Sequence, residues 1–138
     1  MSHRIRNSLT LFLGILMFMF GFLKFFQPIH GWFDVQIQQS NLPHQAILLG
    51  KLGEMATGIL FLSRWLRRSL NDRQNDLLIL IACASLSVEM GVAIYVHMQP
   101  GVPPGVLPLG IKPPVIPGFV FFLGMLTAVA AWTERQRD

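Results

Sequence analysis

The sequence predicts an all-α integral membrane protein: a single domain (residues 1–138) forming a four-transmembrane-helix bundle with both termini cytoplasmic. Three observations carry this expectation. Of 138 residues, 52% are hydrophobic and only 13% charged, whereas a soluble domain carries about 25% charged residues. Eleven Phe in so short a chain, with a mean hydropathy of +0.50, make lipid the expected solvent. The charge is also segregated, because all eight Arg fall in three clusters separated by long apolar runs. These are Arg4 and Arg6; Arg64, Arg67, Arg68 and Arg73; and Arg135 and Arg137. A net charge of +4 distributed in this way marks membrane-flanking loops, not the single basic face that nucleic acid requires.

Four apolar segments follow in order. The first runs from about Leu9 to Phe26 and holds Lys24 as its one charge. MSHRIR ahead of LTLFLGILMFMFGFL imitates a signal peptide, but there is no small-x-small cleavage site and the run continues into KFFQP. It is read as a retained first helix. The second segment, Ala46 to about Leu66, contains Lys51 and Glu54. The third, Leu77 to about Met98, contains Glu89, and the fourth, about Val115 to Trp132, contains no charge. Each approaches the ~20 residues that cross a bilayer core. Lipid offers the backbone no hydrogen bonds, so each must be helical. The N-terminal tail, the loop between the second and third helices and the C-terminal tail hold every arginine, which places both termini inside.

The two remaining connections lie outside. QPIHGWFDVQIQQSNLPHQ, between the first and second helices, is expected as a loop with Trp32 and Phe33 as interfacial anchors. QPGVPPGVLPLGIKPPVIP, between the third and fourth, holds seven of the nine prolines. That density excludes a regular helix and favours a stiff, extended path. Its Val, Leu and Ile residues suit the membrane surface or the bundle mouth. It is either a rigid connector or a lid over an outer site.

The charges within the apolar runs are the informative residues. Helix two enters near Ala46 and helix three leaves near His97, so Glu54 and Glu89 both lie roughly 12 Å below the outer surface at ~1.5 Å per residue. Lys51 sits one turn above Glu54, and Lys24 lies near the outer end of helix one. A charged side chain facing lipid costs about 2.5–3.5 kcal/mol at a helix centre, so these groups should face inward and pair. Small residues support that orientation. Ala82, Ser85, Glu89 and Ala93 share a face of helix three; Gly50, Glu54, Thr57 and Gly58 share one of helix two; Gly14, Gly21 and Lys24 lie within a broad face of helix one. Lys51 and Glu54 could pair with each other at i, i+3, and Lys24 could snorkel.

Other chemistries find no pattern. Cys83 is the one cysteine, so there is no intrachain disulfide and no C-x-x-C pair; it reads as a small packing residue. His30, His44 and His97 lie near the outer helix ends, but none shows the spacing of a metal site. No catalytic triad, phosphate loop or nucleotide fingerprint is present.

GFLKFFQP closing helix one, GKLGEMATGILFL opening helix two and the Pro-rich apolar loop before helix four resemble the DoxX-like family of small four-helix bacterial membrane proteins. The resemblance covers nearly the whole chain and its topology. It implies a multi-pass protein of the bacterial cytoplasmic (inner) membrane, with Lys24 and Glu54 at the family's helix-one Lys and helix-two Glu positions. It also implies links to quinone-coupled redox chemistry or to assembly of membrane complexes, although a lone Cys83 departs from the thiol-redox branch. The resulting expectation is an accessory or binding subunit, without catalysis of its own. Its polar intramembrane cluster of Lys24, Lys51, Glu54, Glu89 and His97 would take a small lipophilic ligand such as a quinone, with Lys51 as counter-charge to the carboxylates. The alternative is a non-enzymatic interaction or assembly protein whose charges are structural. A transporter would have to oligomerise to form a path. Expected partners are the bilayer and either a homo-oligomer or a larger membrane complex.

Overall fold

The computed structural model describes residues 3–137 and is all-helical, with no strand among the described residues. The order is α1 (His3–Leu23), α2 (Ile29–Gln39), α3 (Gln45–Phe61), α4 (Ser63–Leu66), α5 (Asp72–Met98) and α6 (Val115–Arg137), with two short 3-10 turns between α5 and α6. α1 runs along α3 and α5 along α6, while α3 packs on α5 and α6 on α1. Three helices, α1, α5 and α6, are long and apolar enough to cross a membrane. α3 has 17 residues and stops short of that length; the chain bends at Leu62 before α4.

Several helix ends extend beyond the hydropathy boundaries. α1 begins at His3 rather than Leu9, α5 at Asp72 rather than Leu77, and α6 ends at Arg137 rather than Trp132. Polar residues at the ends of these helices are helix-competent even where they are not apolar. At α5 the start is fixed by a capping box: Gln74 N donates to Asn71 Oδ1 (2.8 Å) and Asn71 N donates to Gln74 Oε1 (3.2 Å), which satisfies two otherwise orphaned donors. α1 instead ends early, at Leu23, in turns that close Phe25 N onto Phe22 O and Phe26 N onto Leu23 O.

The connection between α1 and α3 is not a loop. Residues Ile29–Gln39 form α2, which buries Phe33 and Ile37, four residues apart on one face. Phe33 therefore packs inward instead of anchoring at an interface, while Trp32 stays 42% exposed. The Pro-rich segment is only partly extended. It folds through the turns Pro104–Val106 and Pro108–Gly110, burying Val102 and Leu107 against Val96. Lys112 Nζ donates to the carbonyls of Gln99 and Val102, and Gln36 Nε2 of α2 donates to the Val106 carbonyl. The segment thus lies folded on one end of the helices.

Close packing of α1 on α3 depends on glycine. A Cβ on Gly58 would lie 2.6 Å from the Phe18 backbone nitrogen, and one on Gly21 would strike the Lys51 carbonyl. The helix backbones could not approach so closely with larger residues.

Large apolar side chains face outward, and several polar side chains lie inside. Leu49 and Val88 are 70% and 69% exposed, whereas Thr10, Thr57 and Thr127 are buried. The apolar core of Leu13, Met17, Phe61, Ile79, Leu86 and Val120 fills the middle. Below it, at the end away from the Pro-rich segment, Arg6 is buried at 1% exposure and donates to both Asp76 (2.6 Å) and Glu134. This clamp joins α1, α5 and α6, and Arg64 Nη1 reaches Asn7 Oδ1 (3.4 Å) beside it. Arg6, expected in a flanking tail, is an internal tie.

Arg6→Met is expected to destabilise the fold by about 3–5 kcal/mol, because it leaves two buried carboxylates without this guanidinium. The triple variant Arg6→Met, Asp76→Leu, Glu134→Leu should recover most of that loss. Denaturant titration in detergent, with helicity as the readout, checks both.

Candidate functional site

The opposite end holds a cavity of about 500 Å³ enclosed by the C-terminal end of α1, by α2 and α3, by the upper turns of α5 and α6, and by the Pro-rich segment. Its walls are chiefly apolar, including Phe20, Ile29, Trp32, Met90 and Ile116, with Val106, Pro108 and Leu109 covering it. Four polar residues reach it: Lys24, Glu54, Gln36 and His97. Leu109 adopts φ 56°, ψ 17°, a left-handed conformation that costs a residue with a Cβ roughly 1–2 kcal/mol. This strain sits at the cavity cover, where Leu109 is 87% exposed.

Lys24 and Glu54 form the central contact. Lys24 Nζ donates to Glu54 Oε1 (2.7 Å) and Oε2 (2.6 Å), with side chains 17% and 9% exposed. The ammonium also lies 4.2 Å from the Phe33 ring centroid, a favourable placement over an aromatic face. Gly50 makes room for that ring, since a Cβ there would lie 2.8 Å from Phe33 Cζ. The pair is therefore built by three elements: the end of α1, α2 and α3.

Lys51 does not take the expected role. It is buried at 4% exposure, but its Nζ lies 2.6 Å from His30 Nδ1 and 5.0 Å from the Phe25 ring centroid, and it does not line the cavity. Lys24 takes Glu54 through both carboxylate oxygens, and Lys51 turns instead to His30. With Lys51 donating to Nδ1, that nitrogen cannot also donate to the Lys24 carbonyl 3.2 Å away. The other ring nitrogen, Nε2, faces Asp34 Oδ2 at 3.4 Å. A Lys51–His30–Asp34 chain thus runs from the interior to the half-exposed face of α2.

Glu89 sits beside the cavity, not in its wall. Its Oε1 accepts from Thr57 Oγ1 (2.9 Å) and Ser85 Oγ (3.3 Å), and those two hydroxyls lie 2.7 Å apart. Its Oε2 is buried without a hydrogen-bond partner. The expected small-residue faces of helices two and three do meet here, through Thr57 and Ser85. His97 is buried at 4% exposure, lines the cavity, and faces the Lys112 carbonyl through Nδ1 (3.2 Å).

Of the five residues singled out from sequence, then, Lys24, Glu54 and His97 share one cavity, while Lys51 and Glu89 lie behind its wall in separate hydrogen-bonded groups. Gln36, Trp32, Phe33 and the His30–Asp34 pair were missed as site residues. His30 and Asp34, four residues apart as on one helical face, carry the signal for a helix in the segment expected as a loop. Among the described residues, no group of three or more His, Cys, Asp or Glu side chains could hold a metal.

Comparison with known proteins finds no matching family model, curated protein or solved structure.

Removing one member of the Lys24–Glu54 pair should cost more than removing both. Lys24→Met and Glu54→Leu are each expected to lower stability by about 1–3 kcal/mol, with a coupling of similar size in the double variant. A double-mutant cycle followed by thermal unfolding in detergent measures this. Additive losses would mean that the two groups do not interact.

Proposed function

We propose that this chain is a DoxX-like protein of the bacterial cytoplasmic membrane, crossing it four times with both termini inside. In this reading it holds a small lipophilic molecule, such as a quinone, in the cavity under the Pro-rich segment. The fourth crossing would be α3 continued through Leu62 into α4, which together span residues 45–66. The distribution of arginine supports the orientation, since Arg64, Arg67, Arg68 and Arg73 lie at the same end as Arg4, Arg6, Arg135 and Arg137. The chain would act as a binding or accessory subunit, alone, as a homo-oligomer or within a larger membrane complex.

One observation carries the ligand reading: an apolar cavity of about 500 Å³ ends in an ion pair and a buried imidazole. Small-molecule sites typically occupy about 300–1,000 Å³ and combine apolar walls with a few convergent polar groups. The exposed apolar residues at its rim, Trp32 and Leu109, suit entry from a lipid phase.

A second reading has its own support. Lys24 contacts both oxygens of Glu54, and in this reading the charges serve only to fix how α1 meets α3 in an assembly protein.

The two readings separate on Ala93→Phe, which places a ring in the cavity without touching either charge. Mass spectrometry of lipophiles retained after purification should find a molecule on the wild type and at least tenfold less on Ala93→Phe, with the melting temperature unchanged or higher. No retained molecule on either protein would favour the packing role.

A further inference from the structure

The hydrogen bonds around the cavity leave its polar groups with an uneven inventory. His97 Nδ1 faces the carbonyl of Lys112 at 3.2 Å, and a carbonyl can only accept, so Nδ1 carries the proton. In the neutral imidazole Nε2 then presents a lone pair. That nitrogen has no hydrogen-bond partner among the described residues. Gln36 is fixed by the same logic. Its Nε2 donates to the Val106 carbonyl, so the side-chain carbonyl Oε1 is the group left over, and it too has no partner among the described residues. Glu54 is a carboxylate with lone pairs beyond the two used by Lys24. Lys24, the one cation in the wall, has directed its ammonium at both Glu54 oxygens and the Phe33 face.

What remains open toward the cavity is therefore mainly acceptors: an imidazole nitrogen, an amide oxygen and a carboxylate. The charges in the wall sum to zero, because Lys24 offsets Glu54. An anionic head group would meet those acceptors unfavourably, and a bare carbonyl would find at most one N–H on Lys24.

Resting on the reading of the cavity as a lipophile site, we propose that it selects a neutral lipophile bearing a hydroxyl donor, as a phenol, hydroquinone or lipid alcohol does, with His97 or Gln36 accepting its hydrogen. The two acceptors belong to different elements, α5 and α2. Both are held by the Pro-rich segment, through the Lys112 and Val106 carbonyls. The cover thus sets the site's specificity as well as closing it. Selection works by penalty: an analogue without the donor covers the acceptors and leaves them unpaired, whereas the hydroxyl satisfies one of them.

The test uses a matched pair, 4-hexylphenol and its O-methyl ether 4-hexylanisole, which differ in the donor. Equilibrium dialysis of both probes against the full-length protein in micelles gives their affinities, and Ala93→Phe serves as the blank for partition into micelle and surface. The phenol is expected to bind about 10- to 100-fold more tightly than the ether, the range set by leaving one buried acceptor unpaired. His97→Phe should remove most of that preference while the ether's own affinity holds or improves. Gln36→Leu gives the same readout at the second acceptor if His97→Phe does not fold. Equal binding of phenol and ether to the wild type overturns the proposed selectivity but leaves a lipophile site standing. Absence of cavity-dependent binding for either probe overturns both.

Discussion

Along the apolar lengths of the helices, outward-facing hydrocarbon gives a charged group no exterior to occupy, whereas Arg4, Arg67, Arg68 and Arg73 find one at or just beyond the helix ends. Leu49, Val88 and Val129 point outward, so Lys24, Lys51, Glu54, Arg6 and Asp76 must lie within, and a charge held within must be partnered. That constraint orders the rest of the fold. The partners come from different elements: Lys24 from the end of α1 takes Glu54 of α3, and Arg6 of α1 takes Asp76 of α5 and Glu134 of α6. The constraint requires close helix approach, which Gly21 and Gly58 allow. It also confines the charges to the two ends, where side chains from three elements can converge.

The result is two polar ends joined by a dry middle. Asp76 and Glu89 are thirteen residues apart on α5, about 20 Å at the helical rise, and Ile79, Ala82, Cys83 and Leu86 of the apolar core lie between. A proton or ion crossing the chain would have to pass that core. The two ends therefore do different work. At the Arg6 end the guanidinium fills the space between two carboxylates and ties three helices. At the Lys24 end, α2 and the Pro-rich segment stand off from the helices and leave a cavity.

Much of this was legible in the chain. The apolar runs found the long helices, because length and hydropathy are local properties of sequence. The placement of Glu54 and Glu89 at similar depth followed from the rise of a helix, and Thr57 and Ser85 do bring the two helices together there. What sequence could not supply was partner choice. Lys24, Lys51 and His30 all lie within reach of one another's neighbourhood, and only the end of α1 and the docking of α2 decide that Lys24 takes Glu54 while Lys51 turns to His30. The same limit hid Arg6. Its carboxylates lie 70 and 128 positions away in the chain, and a charge just outside an apolar run has the same local pattern whether solvated or buried. α2 is hard to see in sequence for a different reason: eleven residues of mixed polarity carry a weak helical signal, and its apolar pair, Phe33 and Ile37, finds burial only against other parts of the fold.

The central claim is that the end bearing Lys24 and Glu54 receives a lipophile from the bilayer. Photolabelling in vesicles with a diazirine-bearing alkylphenol, followed by peptide mapping, tests it most directly. The account predicts adducts concentrated on Trp32, Ala93 and Leu109 that are competed by excess unlabelled phenol. Adducts confined to outward residues such as Leu49, Val88 and Phe119, indifferent to competitor, would contradict it.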